Sequence, residues 1–145
     1  MTIYRHTQTG YTIIYALLVP AFIACVIATV LPMVRAALIP AVILLLSALL
    51  FWKLTIKIDH EILRASFGLG LVRKTTRVAD IASCEPIRIR WWYGWGIHLT
   101  PYGWLYNVSG WDAVAITLRN GRRFSLGTDD PQGLTAVIRR LASAK

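Results

Sequence analysis

From Tyr11 to Trp52 the chain carries a single formal charge, Arg35, and that stretch limits what the rest of the molecule can become. Thr12 to Leu31, TIIYALLVPAFIACVIATVL, is twenty residues without a charge. As a helix rising 1.5 Å per residue it measures about 30 Å, the hydrocarbon thickness of a bilayer. Ala36 to Trp52, AALIPAVILLLSALLFW, is shorter. It needs local thinning of the bilayer or interfacial help from Phe51, Trp52 and Lys53. Only Pro32-Met33-Val34-Arg35 separates the two segments, enough for a tight turn between antiparallel helices, with both chain ends on one side. Pro20 lacks an N–H inside the first segment and predicts a bend, which helices in lipid tolerate.

The chain changes character near residue 53. Overall it is 56% hydrophobic and 16% charged, against roughly 25% charged in soluble proteins. From Lys53 onward, however, 14 Lys/Arg stand against 7 Asp/Glu, a net of +7. Positive charge near span ends favours the cytoplasmic side. Arg5, Lys53, Lys57 and Arg64 lie toward one end and Arg35 alone toward the other. The expectation is a multi-pass protein of the cell (inner) membrane with both termini cytoplasmic. A cleaved signal peptide fits poorly, because the first span is too long and runs directly into a second. Ile23-Ala24-Cys25 resembles a lipoprotein cleavage site only faintly, since Cys25 lies mid-span and a lipid anchor is redundant beside two spans. Cys25 and Cys84 fall on opposite sides of the boundary, so the sequence offers neither a disulfide framework nor a zinc signature.

Beyond Leu54 the hydrophobic period shifts from helical to alternating. LTIKI, EILRASF and LVRKTTRV are short runs rich in β-branched residues, punctuated by Asp59-His60 and Gly68-Leu69-Gly70, and read as a β-meander. Pro86 to Arg90 alternates isoleucine and arginine like a half-solvated strand. Ala113–Arg119 and Arg123–Gly127 flank Asn120-Gly121, a dipeptide suited to a type I′ turn, with Val114, Ile116 and Leu118 expected inward. Asp130 then caps a helix with Pro131 in its first turn, and Leu134, Val137, Ile138 and Leu141 form its apolar stripe. Arg139 and Arg140 lie off that stripe, late in the helix, where positive charge suits the dipole.

This order of elements, with Trp95-Gly96-Ile97, Tyr102-Gly103-Trp104, the Asn120-Gly121 hairpin and Gly127-Thr128-Asp129-Asp130-Pro131 leading into the helix, resembles the bacterial pleckstrin-homology-like (PH-like) membrane proteins over about residues 54 to 143. The resemblance implies two roughly orthogonal sheets forming a seven-stranded, partly open β-barrel capped by the C-terminal helix. The expected architecture is thus an α+β membrane protein. Residues 1–52 make an N-terminal tail and transmembrane hairpin, with spans of about 12–31 and 36–52, and residues 53–145 make a cytoplasmic PH-like domain. The fold hosts phosphoinositide binding, peptide binding and scaffolding alike, so it implies little about a ligand.

Few residues point to catalysis. His6, His60 and His98 are scattered without ligand spacing, which leaves metal binding without support. Asp129-Asp130 is explained by helix capping before any catalytic pairing. Ser125, His98 and Asp112 lack the frame of a nucleophile elbow, and Gly68-Leu69-Gly70 lacks the third glycine and the strand-loop-helix setting of a phosphate loop. The sequence therefore predicts a non-enzymatic protein without cofactors.

Between residues 91 and 111 lie Trp91, Trp92, Tyr93, Trp95, Tyr102, Trp104, Tyr106 and Trp111, half of the sixteen aromatic residues. Three roles are open to them: filling a small core, forming an interfacial belt, or anchoring a partner. The basic residues either solvate sheet edges or contact anionic lipid. Lys53, Lys57, Arg73, Lys74, Arg88 and Arg90 are the candidate lipid-binding residues. Trp52, Trp91, Trp92, Tyr93 and Trp95 are the candidate interfacial or partner-binding aromatics. Arg122 and Arg123, beside the hairpin turn, add to the basic set. The expected function is recognition of anionic headgroups, or of a membrane protein partner or second copy, at the inner membrane surface. Nucleic acid fits poorly despite the net charge of +9. The alternative is a structural or scaffolding subunit of a membrane complex, packing through Ala28, Ala36, Ala37, Ala41, Ser47 and Ala48.

Overall fold

The computed structural model describes residues 2–143; the outermost positions of the two expected domains, 1 and 144–145, lie outside the described residues. The N-terminal tail is a strand, β1 (Thr2–Thr9), and it leads through Gly10 into helix α1 (Tyr11–Val30). α1 runs through Pro20 as one helix of 20 residues. The chain turns at Leu31 into a 3-10 segment, Pro32–Ala37, which merges into α2 (Leu38–Phe51) across an irregular Val34. Because 3-10 backbone rises about 2 Å per residue, Pro32 to Phe51 reaches about 33 Å, and the second segment is not short of a bilayer after all.

The two helices pack through small residues. Ala21 and Ala28 on α1, and Ala41 and Ala48 on α2, are buried at a spacing of seven, whereas Phe22, Ile23, Ile39, Ile43 and Leu46 are more than half exposed. Alanine at that repeat lets two backbones approach closely. Ala28, Ala41 and Ala48, expected to be packing surfaces toward a complex, are thus used within the hairpin. Ala36 is exposed, and the Ser47 hydroxyl donates to its own helix at Ile43 O, 2.8 Å.

Eight strands, rather than seven, follow the hairpin: β2 (Lys53–Asp59), β3 (Ile62–Phe67), β4 (Arg73–Arg77), β5 (Ile81–Arg88), β6 (Gly96–Thr100), β7 (Gly103–Asn107), β8 (Asp112–Leu118) and β9 (Arg123–Gly127). Helix α3 (Pro131–Ser143) ends the described chain. The strands make two sheets, β1-β2-β3-β4 and β5-β8-β9-β7-β6, with no pairing that closes them into one barrel among the described residues. All ladders are antiparallel except β7 with β9. The main core lies between the sheets, with Leu54, Ile56, Ile58, Leu63 and Phe67 from the first and Val114, Ile116, Phe124 and Leu126 from the second. Leu134 and Ile138 of α3 close one flank, and the Arg139 guanidinium donates to Cys84 O at 3.0 Å, tying α3 to β5.

The Asn120-Gly121 hairpin forms, but with a different turn. Only Gly121 has positive φ, at 83°, and Leu118 pairs with Arg122 around a three-residue loop. A type I′ turn needs positive φ at both central residues. Here Asn120 keeps negative φ while its side chain accepts from the Arg122 N–H at 3.0 Å. β8 is central, so Ala113 and Ala115 are buried along with Val114 and Ile116. A second small cluster of Ile89, Leu105 and Ala113 sits apart from the main core, with Tyr93 packed against it.

No linker separates helices from sheet. β1 and β2 pair down to Thr9 opposite Lys53, and the next residue, Gly10, donates its N–H to Trp52 O at 2.8 Å. Ile13, Leu17 and Phe51 pack on the domain core. The helical hairpin and the first sheet therefore form one continuous antiparallel pair.

Candidate functional site

Strand register decides which basic residues meet. On β2 the alternation sends Leu54, Ile56 and Ile58 inward, leaving Lys57 on the opposite face. Arg5 of β1 stands opposite Lys57, and Lys57 stands opposite Arg64 of β3. With strands about 4.8 Å apart, three cations lie in one row about 10 Å long. Thr7 and Thr55 share a hydroxyl contact of 3.1 Å on the same face. Lys53 and Arg73 lie nearer the helix ends, opposite Thr9 and Ser66. Asp59 and Glu61, the sheet's carboxylates, sit at its far turn, and Arg77 lines a shallow depression there beside Glu61.

The six predicted basic residues therefore divide. Lys53, Lys57 and Arg73 share the outer face of the first sheet. Lys74, opposite buried Ala65, points between the sheets with its ammonium 5.3 Å from the Phe124 ring centre. It lines a groove of about 520 Å³ with Arg122, Arg123, Leu99, Trp104 and Tyr106. Burial pushes the Tyr106 phenol beside that groove up from its ordinary pKa. Arg88 ends β5 in the second sheet, opposite Asp112, whereas Arg90, expected on the same strand, lies beyond it at the start of the Trp91–Tyr93 turn with its guanidinium 5.0 Å from the Trp92 ring centre.

The aromatic residues also divide. Trp95 and Tyr106 pack partly against the core, while Trp91 and Trp92 are 72% and 54% exposed on a 3-10 turn, Trp91–Tyr93. Trp95 meets Trp111 at a tilt, 5.4 Å between rings, and its buried indole N–H has no partner among the described residues. Where the helices meet the sheet, the Lys53 ammonium lies 4.3 Å from the Trp52 ring centre, and Tyr11 and Tyr15 of α1 are exposed. Tryptophan and tyrosine with a neighbouring cation suit a headgroup layer.

Both members of the acidic pair have partners in the fold. Asp130 accepts the Gly133 N–H at 3.0 Å and so caps α3, and its other oxygen accepts from the Tyr4 hydroxyl at 3.1 Å. Asp129 pairs with His6. Ser125, His98 and Asp112 each have a different partner: Tyr102 O, Trp95 O and, in register, Arg88. Among the described residues no group of three His, Cys, Asp or Glu could hold a metal ion.

Arg5 and Arg64 were missing from the sequence-derived site. The alternation in KLTIKID and ILRASF carried the signal for Arg64, and that in YRHTQT for Arg5, but only the pairing of a remote tail with β2 brings them beside Lys57. In comparisons with known proteins, no family model, curated protein or solved structure matched this chain.

Proposed function

We propose that the chain is a non-enzymatic protein that crosses the inner membrane twice and binds anionic lipid headgroups through the outer face of its first sheet, with both termini cytoplasmic. The observation that carries this reading is the row Arg5–Lys57–Arg64, continuous with Lys53 and Arg73 at the helix ends. Like charges directly opposite on neighbouring strands destabilise a sheet. An anionic surface turns that cost into attraction, worth about 1 kcal/mol per cation held close to it. Lys53 emerges in the headgroup layer, and Lys57 lies four residues on, about 13 Å along the strand. That exceeds the screening length of about 8 Å, so the row reaches the phosphates when the outer face of the sheet leans toward the bilayer.

Membrane insertion is supported by the two apolar helices, each window only 11% buried by the rest of the chain. The pairing of β1 with β2 supports one side for both ends, and the positive charges there support the cytoplasmic side. The order of two sheets and a capping helix supports the PH-like reading of residues 53–145. The exposed Trp91–Trp92 pair, edge to face at 5.7 Å, favours a protein partner as the second reading.

The test uses the full chain reconstituted in vesicles, because residues 54–145 alone lack β1. Quenching of tryptophan by brominated phosphatidylglycerol should exceed quenching by brominated phosphatidylcholine. The excess should shrink with salt and in the triple variant Arg5→Gln, Lys57→Gln, Arg64→Gln. Equal quenching by the two lipids sinks the lipid reading and directs attention to a protein partner.

A further inference from the structure

The turn between β3 and β4, Gly68-Leu69-Gly70-Leu71, is anchored to the last turn of α2. Gly68 donates its N–H to Lys53 O at 2.8 Å, and its Cα lies so close to the backbone of Leu49 and Leu50 that a Cβ there would overlap the Leu50 carbonyl oxygen. Phe67, just before it, meets Phe51 edge on at 5.2 Å. The turn is closed by Gly70 N–H to Phe67 O and Phe67 N–H to Val72 O, with both glycines at positive φ. The turn therefore lies level with Leu50, on the helix side of Trp52 and Lys53.

At that level the turn presents apolar side chains outward. Leu69 is 64% and Leu71 74% exposed, and Arg73 follows directly on the outer face. Two leucines ahead of an arginine match the order of a bilayer boundary, acyl chains and then phosphates. We propose that the β3–β4 turn is a membrane wedge, inserting Leu69 and Leu71 into the acyl edge beside the exit of α2. It fixes the depth and tilt of the domain, and so holds the basic face against the headgroups. This inference rests on α1 and α2 crossing the bilayer.

The test places nitroxide labels in full-length protein in vesicles and compares collisions with oxygen and with a water-soluble nickel chelate. One label sits at Leu69→Cys and an aqueous control at His60→Cys, the opposite end of the sheet, each in a Cys25→Ala background. The Cys25→Ala chain alone is the blank for buried Cys84, and native Cys25 carries the mid-span label. The Leu69 label should be about tenfold less accessible to nickel than the His60 label, because hydrocarbon excludes a charged or strongly polar solute. Leu71→Cys should behave like Leu69→Cys. If the Leu69 and Leu71 labels match the His60 label while the Cys25 label is shielded, the wedge is wrong and the spanning hairpin stands. If the Cys25 label is itself open to nickel, the spanning reading falls and the wedge falls with it.

Discussion

Tyr4 and Asp130 stand 126 positions apart and share a 3.1 Å hydrogen bond that ties the first strand to the cap of the last helix. Burial first, and then this bond, push the Tyr4 phenol above its ordinary pKa. A raised folded-state value means that stability is intact below the ordinary phenol value of about 10 and drains away as pH climbs from there through the folded-state value. Unfolding midpoints of detergent-solubilised protein between pH 8 and 11 should therefore fall at the alkaline end. In Tyr4→Phe the midpoint should start lower, by about 1 kcal/mol of stability, and fall less steeply. An equally steep fall would place the alkaline sensitivity elsewhere. Glycines allow a sharper comparison. Gly68 (φ 44°) and Gly121 (φ 83°) both occupy left-handed backbone, but only Gly68 has neighbouring backbone where a Cβ would go. Gly68→Ala should cost about 1–3 kcal/mol more than Gly121→Ala, since left-handed strain is common to both and only Gly68 adds overlap with neighbouring backbone. Denaturant titration measures the difference.

Among the elements, the first sheet and the helical hairpin each show a local cost serving a larger arrangement. Lys57 sits between Arg5 and Arg64. Replacing it with glutamine should stabilise the protein in uncharged detergent by about 0.2–1 kcal/mol, the range for cross-strand charge pairs. The same change should weaken the preference for anionic lipid. A variant that gains no stability would show that the row is already neutralised within the protein. In the hairpin, Ala21 and Ala41 are 1% exposed. Ala21→Leu or Ala41→Leu should destabilise by about 1–3 kcal/mol through overpacking, whereas Phe22→Leu on the exposed side should be nearly neutral. Chemical unfolding in mixed micelles reads both. Helix α3 was legible element by element: Asp130 and Pro131 start it, and Leu134 and Ile138 are its buried face, because capping and 3.6-residue periodicity are local properties.

For the molecule as a whole, β1 is the element on which the arrangement turns. It covers the edge of β2, supplies Arg5 to the outer face, and sends Tyr4 and His6 to the loop before α3. Deleting residues 2–9 should leave β2 as an open edge. The shortened chain should unfold at lower temperature and self-associate in detergent, as read by size-exclusion chromatography with light scattering. A monodisperse product as stable as the full chain would show that the strand is dispensable.

Length, hydropathy and turn chemistry are properties of neighbouring residues, so the amino-acid sequence alone determined two long apolar helices, a β-rich basic segment, the Asn120-Gly121 hairpin and the capped final helix. Strand pairing across about forty residues of intervening helix is not such a property. Only the tertiary structure made the tail a strand, set Arg5, Lys57 and Arg64 in one row, and moved Lys74, Arg88 and Arg90 to other surfaces. It also placed Leu69 and Leu71 level with the end of α2. In a β-sheet, register selects each side chain's face and neighbours, and register is fixed by the partner strand and the core it must cover.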